Sequence, residues 1–302
     1  MSLSPYASSA YAAALEHIGQ ARSIRPGLHV LERAIPGTET RTDLLGPYPF
    51  LDGGALEVAC LEGPLPAGPV SLTAVLDPLS APHEDMVADL FPDFRKPFKE
   101  HSLVNLGEDL EQQRRPQHRR KARRAREAVE VVRAAPTAEE GDAWVALYAA
   151  LREQHGFHGS LADFSERSLR AQLELRGARL YLAHLDGSPV AGSLWFDSDQ
   201  HTWYHLGASS AEGLAVGASF ALFDVALRDA AEAGLERANL GGGAGLANDA
   251  ADGLARFKRG WTPHVGWSQV VGRVLDRGAF DELCEARSPC ASGTFPPYRY
   301  PR

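Results

Sequence analysis

The sequence predicts a mixed α+β fold on three observations. Between Leu28 and Leu106, apolar segments of strand length (LHVLERAI, ALEVACL, PVSLTAVL, HSLVNL) alternate with Pro and Gly clusters. The second half runs helix, helix, three antiparallel strands, helix, strand, short helix, strand. Asp186-Gly187, set between two apolar runs, is a strong hairpin signal. This order is not that of a doubly wound dinucleotide fold, and no internal repeat points to a solenoid or propeller.

In chain order, residues 1–23 are alanine-rich and read as a lead helix. Strands and loops follow, with Glu84–Leu90 as a short helix among them. A basic helix comes next, and Pro116 is tolerable only near its first turn. Thr137-Ala-Glu-Glu140 is a capping box, opening a helix with Trp144, Leu147, Tyr148 and Leu151 on one side. A further helix covers roughly Phe164–Leu175. ARLYLAHLDG and SPVAGSLWFD form the hairpin, and HTWYHLGASS is the third strand. A helix from about Val216 to Ala233 presents Phe220, Phe223 and Leu227. The strand ERANL, a glycine cluster, a short helix through Phe257 and a strand around Gly266–Val274 complete the pattern. The tail SPCASGTFPPYRYPR is too rich in Pro, Gly and Ser to predict a packed element.

Charge is unevenly spread. The 302-residue chain carries −8 overall, yet eight basic residues lie between Arg114 and Arg126 with no acid among them. The remainder holds 23 basic and 39 acidic side chains, a balance of −16. An acidic body with one basic stripe is unlike a general nucleic-acid binder, but the stripe could receive a polyanion locally. On a helix Arg119, Arg123 and Arg126 share one face, while Ala122, Ala125 and Val129 share another that would pack. A solvated helix is the plainer reading and phosphate recognition the sharper one. Three cysteines (Cys60, Cys284, Cys290) form neither a disulfide framework nor a zinc cage. No apolar run is long enough for a membrane helix and the N-terminus is a poor signal peptide, so the expectation is a cytoplasmic, metal-free protein without membrane insertion.

Few motifs carry chemistry outright. Gly241-Gly-Gly-Ala-Gly245 lacks the Lys-Ser/Thr of a phosphate loop and the third Gly of a dinucleotide fingerprint, and reads as a sharp turn after a strand. His155 and His158 have a two-ligand spacing without a third ligand, and read as loop histidines. His201, Trp203 and His205 alternate along one strand face, with Thr202 and Tyr204 on the other. His205 could take a proton from an amine near neutral pH, against the plainer reading of a half-buried histidine. Lys258 beside Phe257 offers a fixed positive charge where an oxyanion develops. No GxSxG elbow or activated cysteine supports covalent hydrolysis.

The collinear order of RRKARRAREAVEV, LAHLDGSPVAGSLWF, TWYHLGASS, AAEAGLERANLGGG and DGLARFKRGW resembles the GNAT-like acyltransferase lobe of the Fem-type aminoacyl transferases, which build peptidoglycan cross-bridges. LLGPYPFLDGG and VSLTAVLDPLSAP extend the resemblance over about residues 28–275. It implies two tandem GNAT-like lobes: a degenerate one over 1–107, an acyltransferase lobe over 108–280, and a Pro-rich tail over 281–302. It implies transfer of an acyl or aminoacyl group to a small-molecule amine or a peptide. The aromatic-Lys pair that contacts the donor and stabilises the intermediate maps onto Phe257 and Lys258, and Arg119, Arg120 and Arg123 are the nearest phosphate-binding residues. With that resemblance the expected oxyanion site is Lys258 with backbone amides near Gly207–Ser210, Ser209 included. The base is His205, an unidentified carboxylate or the substrate itself, and Trp203 would share a cleft wall with His205 if their strand face lines the cleft.

The stretch AEGLAVGASF lacks the Arg/Gln-x-x-Gly-x-Gly/Ala turn of acetyl-CoA enzymes, so coenzyme A would rest on backbone N–H groups near Gly217. Acetyl-CoA or another acyl-CoA is the first expected donor and aminoacyl-tRNA, with tRNA as a partner, the second. A third reading keeps the fold as a catalytically silent binding protein. The oligomeric state is left open.

Overall fold

The computed structural model describes residues 3–25, 27–59, 67–135, 137–156, 158–244, 252–287 and 293–300. Gly245, Cys60 and Cys290, singled out above, lie outside the described residues. The chain opens with α1 (Ser9–Ala14), β1 (Gln20–Arg25), β2 (Leu28–Ala34) and β3 (Thr42–Leu45). Next come α2 (Gly53–Ala59), β4 (Ser71–Leu76), α3 (Glu84–Leu90) and β5 (Phe94–Asn105). The second half supplies α4 (Leu110–Gln113), α5 (Pro116–Ala128), β6 (Glu130–Arg133), α6 (Ala138–His155) and α7 (Glu166–Leu173). Three strands follow, β7 (Ala178–Leu185), β8 (Ser188–Asp197) and β9 (His201–Ser209), and then α8 (Ala211–Val216) and α9 (Ala218–Glu232). The chain finishes with β10 (Arg237–Asn239), α10 (Gly253–Arg259), β11 (Val265–Val274) and α11 (Arg277–Ala286). The mixed α+β class is as predicted, with Asp186 (φ 49°) and Gly187 (φ 80°) turning the expected hairpin.

Two compact units divide the chain: Met1–Pro5 with Lys99–Gly266, and Tyr6–Phe98 with Trp267–Arg302. The expected breaks at 107/108 and 280/281 therefore differ from these. The chain crosses between units inside β5 and again inside β11, where strand composition gives no mark.

In the smaller unit β1, β2 and β3 pair antiparallel in order, β3 pairs parallel with β4, and β4 pairs antiparallel with β11. The lead helix stops at Ala14, and the end of the expected helix is strand β1 instead, with Gln20 opposite Glu32. The tail also departs from expectation. Phe295 and Tyr298 pack with Ile35, Val70, Phe280 and Leu283. Tyr298 Oη lies 2.7 Å from Ser71 Oγ, and Arg299 pairs with buried Asp43 at 2.5 Å. Two aromatic rings and one ion pair hold down a segment whose composition reads as loop.

Among the described residues the larger unit has the strand order β5-β10-β9-β8-β7-β6, with β9 and β10 parallel and the other neighbours in this order antiparallel. Its core joins Trp195, Phe223, Leu227, Ala122, Ala125 and Trp261. The alanine face of α5 is buried on α9, as its spacing predicts, and Pro116 occupies the first helical turn. Asp224 is the exception on α9, a carboxylate 2% exposed among apolar residues. It accepts from Arg114, from Arg126 at 3.0 Å and from Arg228 at 3.1 Å. Arg114 is itself buried, over the Trp261 ring at 4.8 Å. A buried charge whose partner is removed is left without either water or a counter-ion. Asp224→Ala is therefore expected to destabilise the protein by about 3–5 kcal/mol in urea unfolding, and a loss under 1 kcal/mol would show that the pair does not hold α5 on α9.

Candidate functional site

The parallel pairing of β9 and β10 sets the geometry. β9 and β10 run the same way and α9 connects them, so their carboxyl ends open on one side, where open α/β sheets bind ligands. β10 pairs with β9 only through His201–Trp203. Beyond Trp203 the registered β10 ladder has ended while β9 runs on to Ser209. The glycine loop leaves from β10, and α8 and the start of α9 leave from β9.

Lys258, on α10, is 6% exposed. Its Nζ donates to the Gly242 carbonyl at 2.8 Å and lies 5.1 Å from the centre of the Tyr204 ring. Beside it Lys99, on β5, donates to the carbonyls of Gly243 at 2.9 Å and Ala244 at 3.4 Å. Asn239 Oδ1 accepts from the Gly241 N–H at 2.7 Å, which leaves its Nδ2 to donate to His101 Nδ1 at 3.0 Å. That assignment puts the His101 proton on Nε2. Asp252 caps α10 and accepts from the Ala244 N–H at 3.2 Å. The glycine cluster is thus a cradle of carbonyls for two ammonium groups, and the N–H groups of Gly241 and Ala244 are already engaged. Gly241 has φ 77°, and a Cβ there would lie 3.0 Å from Lys258 Nζ, so both backbone and space call for glycine.

Burial, and next the Lys99 charge, push Lys258 down to about 7, with Asp252 opposing. Both causes weaken the positive charge that the sequence led one to expect at Lys258. His101 falls to about 3, through burial first and the Lys258 charge second. Phe257 packs edge-on to Phe220 and Phe223, with ring centres at 4.9 and 4.8 Å, and its carbonyl lies 2.9 Å from His118 Nε2. It fixes α10, and with it Lys258.

His205 is elsewhere. The β8–β9 register slips there, with Leu194 opposite Leu206 but Trp195 opposite Tyr204, so His205 is the extra residue of a β-bulge. Tyr204 faces α9 through Phe223, whereas His205 stacks on Phe196 at 4.4 Å and binds Gln172 of α7 at 2.9 Å. Burial pushes it down to about 3. The expectation that it would join Lys258 as a base is corrected: the two lie on opposite faces of the sheet. Trp203, in register with Phe196, is likewise core rather than cleft wall.

Gly207 and Ser209 share the α9 side. A Cβ on Gly207 would meet Tyr204 Oη, and Ser209 Oγ lies 3.1 Å from Ser219 Oγ on α9. Gly217 (φ 72°) ends α8 and begins α9, which has no side-chain N-cap. Arg119 and Arg123 line a separate cleft of about 930 Å³ with Arg114, Arg126, Asp224 and Arg228. Lys258 does not line that cleft. Lys99, His101 and Asn239 were not identified from sequence. The spacing of Lys99 and His101 on one strand face was the available signal.

His155 ends α6, and His158 lies 3.4 Å from Glu153. Among the described residues no group of three or more His, Cys, Asp or Glu could hold a metal, and no helix is long and apolar enough to cross a membrane.

Residues 112–259 match the family model described as an acetyltransferase (GNAT) domain. The chain thus carries a GNAT-type domain, within the larger unit, and the Fem-type resemblance extends to the fold. It is similar to FemX at 16% identity, covering 90% of this chain and 92% of that one, with a TM-score of 0.63. It is similar to the C-terminal domain of a protein named as a lysylphosphatidylglycerol synthetase from Agrobacterium fabrum (15% identity, 90% and 89% covered, TM-score 0.58). L-PGS from Bacillus licheniformis is also similar (15% identity, 88% of each chain, TM-score 0.55). No curated protein matches in sequence.

The two buried histidines make a testable claim about acid. The unfolded chain protonates each near 6.5 and the folded chain only near 3. Across that window the unfolded state binds more protons, so stability is full above it and is lost as pH falls through it. His205→Phe is expected to flatten the urea-stability profile between pH 6 and pH 4 by up to about 1.4 kcal/mol per pH unit. An unchanged slope would contradict the burial of a neutral His205.

Proposed function

We propose that the chain is an N-acyltransferase that moves an acyl group from acyl-CoA, acetyl-CoA first, to the amine of a small molecule or peptide. The observation that carries this is Lys258, buried on the glycine loop at the open end of the β9–β10 pair within the GNAT-type domain. The acceptor nitrogen attacks the thioester carbon, the carbonyl oxygen becomes O⁻, and Lys258 with backbone N–H groups near Gly207–Ser210 neutralises it. Collapse breaks the C–S bond, and the sulfur leaves with the electron pair and takes a proton. Coenzyme A fits the start of α9, whose first-turn N–H groups have no side-chain cap and whose Gly217 permits the sharp entry. Ser209 and Ser219 flank that entry. The smaller unit, which holds most of the N-terminal third of the chain, is read as the degenerate first lobe.

The arginine cleft along α5 favours a second reading, with aminoacyl-tRNA as donor. Arg119 and Arg123 would then receive its phosphates. A silent binding protein on the same fold is the remaining alternative.

Isothermal titration with acetyl-CoA, uncharged tRNA and charged tRNA separates these. The expected result is micromolar acetyl-CoA binding, unchanged in Arg119→Glu/Arg123→Glu, with negligible tRNA binding. Salt-sensitive tRNA binding that the double reversal abolishes would move the donor to aminoacyl-tRNA. Absence of any donor binding would favour the silent protein.

A further inference from the structure

Two lysines, one buried histidine and three successive carbonyls meet at one loop, and the acyl-transfer reading uses only one of these groups. Lys99 is 8% exposed, and its chain lies so close to the loop that a Cβ on Gly242 would touch its Cβ and Cδ at 3.4 Å. The Gly242 carbonyl is taken by Lys258, and the next two carbonyls by Lys99. The two ammonium groups thus hold successive carbonyls of one short loop, and that loop is the link between them.

We propose that Lys99 is a positioning residue for Lys258, holding the glycine loop in the shape that presents Lys258 Nζ and setting the charge state in which Lys258 meets the acceptor amine. The inference deepens the acyl-transfer reading and rests on it for its chemistry. Among the described residues, few groups face Lys258. β5 supplies Lys99 and His101, the N-cap of α10 supplies Asp252, and β9 supplies the Tyr204 ring. Arg259, next in sequence, pairs instead with Glu100 at 2.8 Å. Of the charged groups among the described residues, Asp252 alone favours the Lys258 cation, and it also accepts the Ala244 and Ala255 N–H groups. His101 stays neutral, so Lys99 is the like charge that acts on Lys258.

This arrangement gives Lys258 two successive tasks. Uncharged, its Nζ takes a proton from the acceptor's ammonium group and frees the amine. The amine nitrogen then bonds to the acyl carbon, and the carbonyl electron pair moves onto oxygen beside the Lys258 ammonium just formed. When the carbon–sulfur bond breaks, the leaving sulfur keeps its electron pair and takes the second proton from nitrogen. Lys258 returns its own proton to solvent. A lysine charged throughout could stabilise the oxyanion but could not perform the first transfer.

The test is a ¹³Cε chemical-shift titration of lysine-labelled protein, with the Lys258 signal assigned by its loss in Lys258→Arg. The expected wild-type midpoint is near pH 7, moving upward by about one unit in Lys99→Gln and staying in place in Lys99→Arg. A midpoint that is the same in Lys99→Gln as in wild type overturns the proposal. So does a Lys258 that titrates in the ordinary lysine range in the wild-type protein, a result that needs no Lys99 variant to fold. The readout requires no turnover, so failure to find acyl transfer would sink the acyl-transfer reading while leaving the Lys99–Lys258 linkage measured. Where transfer is found, the pH at which kcat/KM rises should move upward in Lys99→Gln with the Lys258 midpoint.

Discussion

An ammonium group that has lost its water must find oxygen atoms to replace it, and that requirement organises the larger unit. Lys258 finds one in the Gly242 carbonyl, Lys99 finds two in the residues that follow, and the loop has to be glycine to bring them this close. Asn239 shapes the loop's beginning from β10, and Asp252 shapes its far end from α10. The loop reaches this place because β10 stops at Asn239 while its parallel neighbour β9 continues. Sheet topology, loop composition and the charge of one lysine are thus links in one chain. The same burial that demands the carbonyls makes the charged form costly, so Lys258 is poised to exchange a proton.

The bulge at His205 divides the unit's polar groups between two environments. On one side Tyr204 and Gly207 face α9, and Lys258 lies over the Tyr204 ring. On the other, Phe164, Phe196 and Gln172 enclose His205. A single extra residue in β9 decides which side chains can meet. Asp224 plays a different part, drawing Arg114, Arg126 and Arg228 into one cluster that fastens the basic helix to α9. The basic stripe is therefore half anchor and half surface. Arg114 is spent on the fold, while Arg119 and Arg123 remain at the cleft.

Much of the fold was legible because it rests on local signals. The Asp186-Gly187 turn, the Thr137 cap and the alanine face of α5 each announce themselves over a few residues. The tail was misread because Phe295 and Tyr298 find their partners far away in sequence, at Ile35, Val70 and Ser71. Two of the unit boundaries fall inside strands, β5 and β11, and leave no mark in composition. Phe257 and Lys258 stand out in the sequence as an aromatic-lysine pair after a glycine loop, to which the Fem-type resemblance adds a role, whereas His205 was assigned to a cleft by alternation alone. Alternation says which residues share a face and not which helix covers it, and Gln172 and Phe164 come from helices and loops that the pattern cannot place. Lys99, His101 and Asn239 escaped because they converge from two strands far apart in sequence, β5 and β10, on one loop.

The most direct measurement compares single-turnover acyl transfer, from acetyl-CoA to a verified amine acceptor, in folded Lys258→Ala and folded His205→Gln proteins. The account predicts a loss of about 100-fold or more for Lys258→Ala and transfer within a few-fold of wild type for His205→Gln. Undiminished transfer in Lys258→Ala, or a comparable loss in His205→Gln alone, would contradict it.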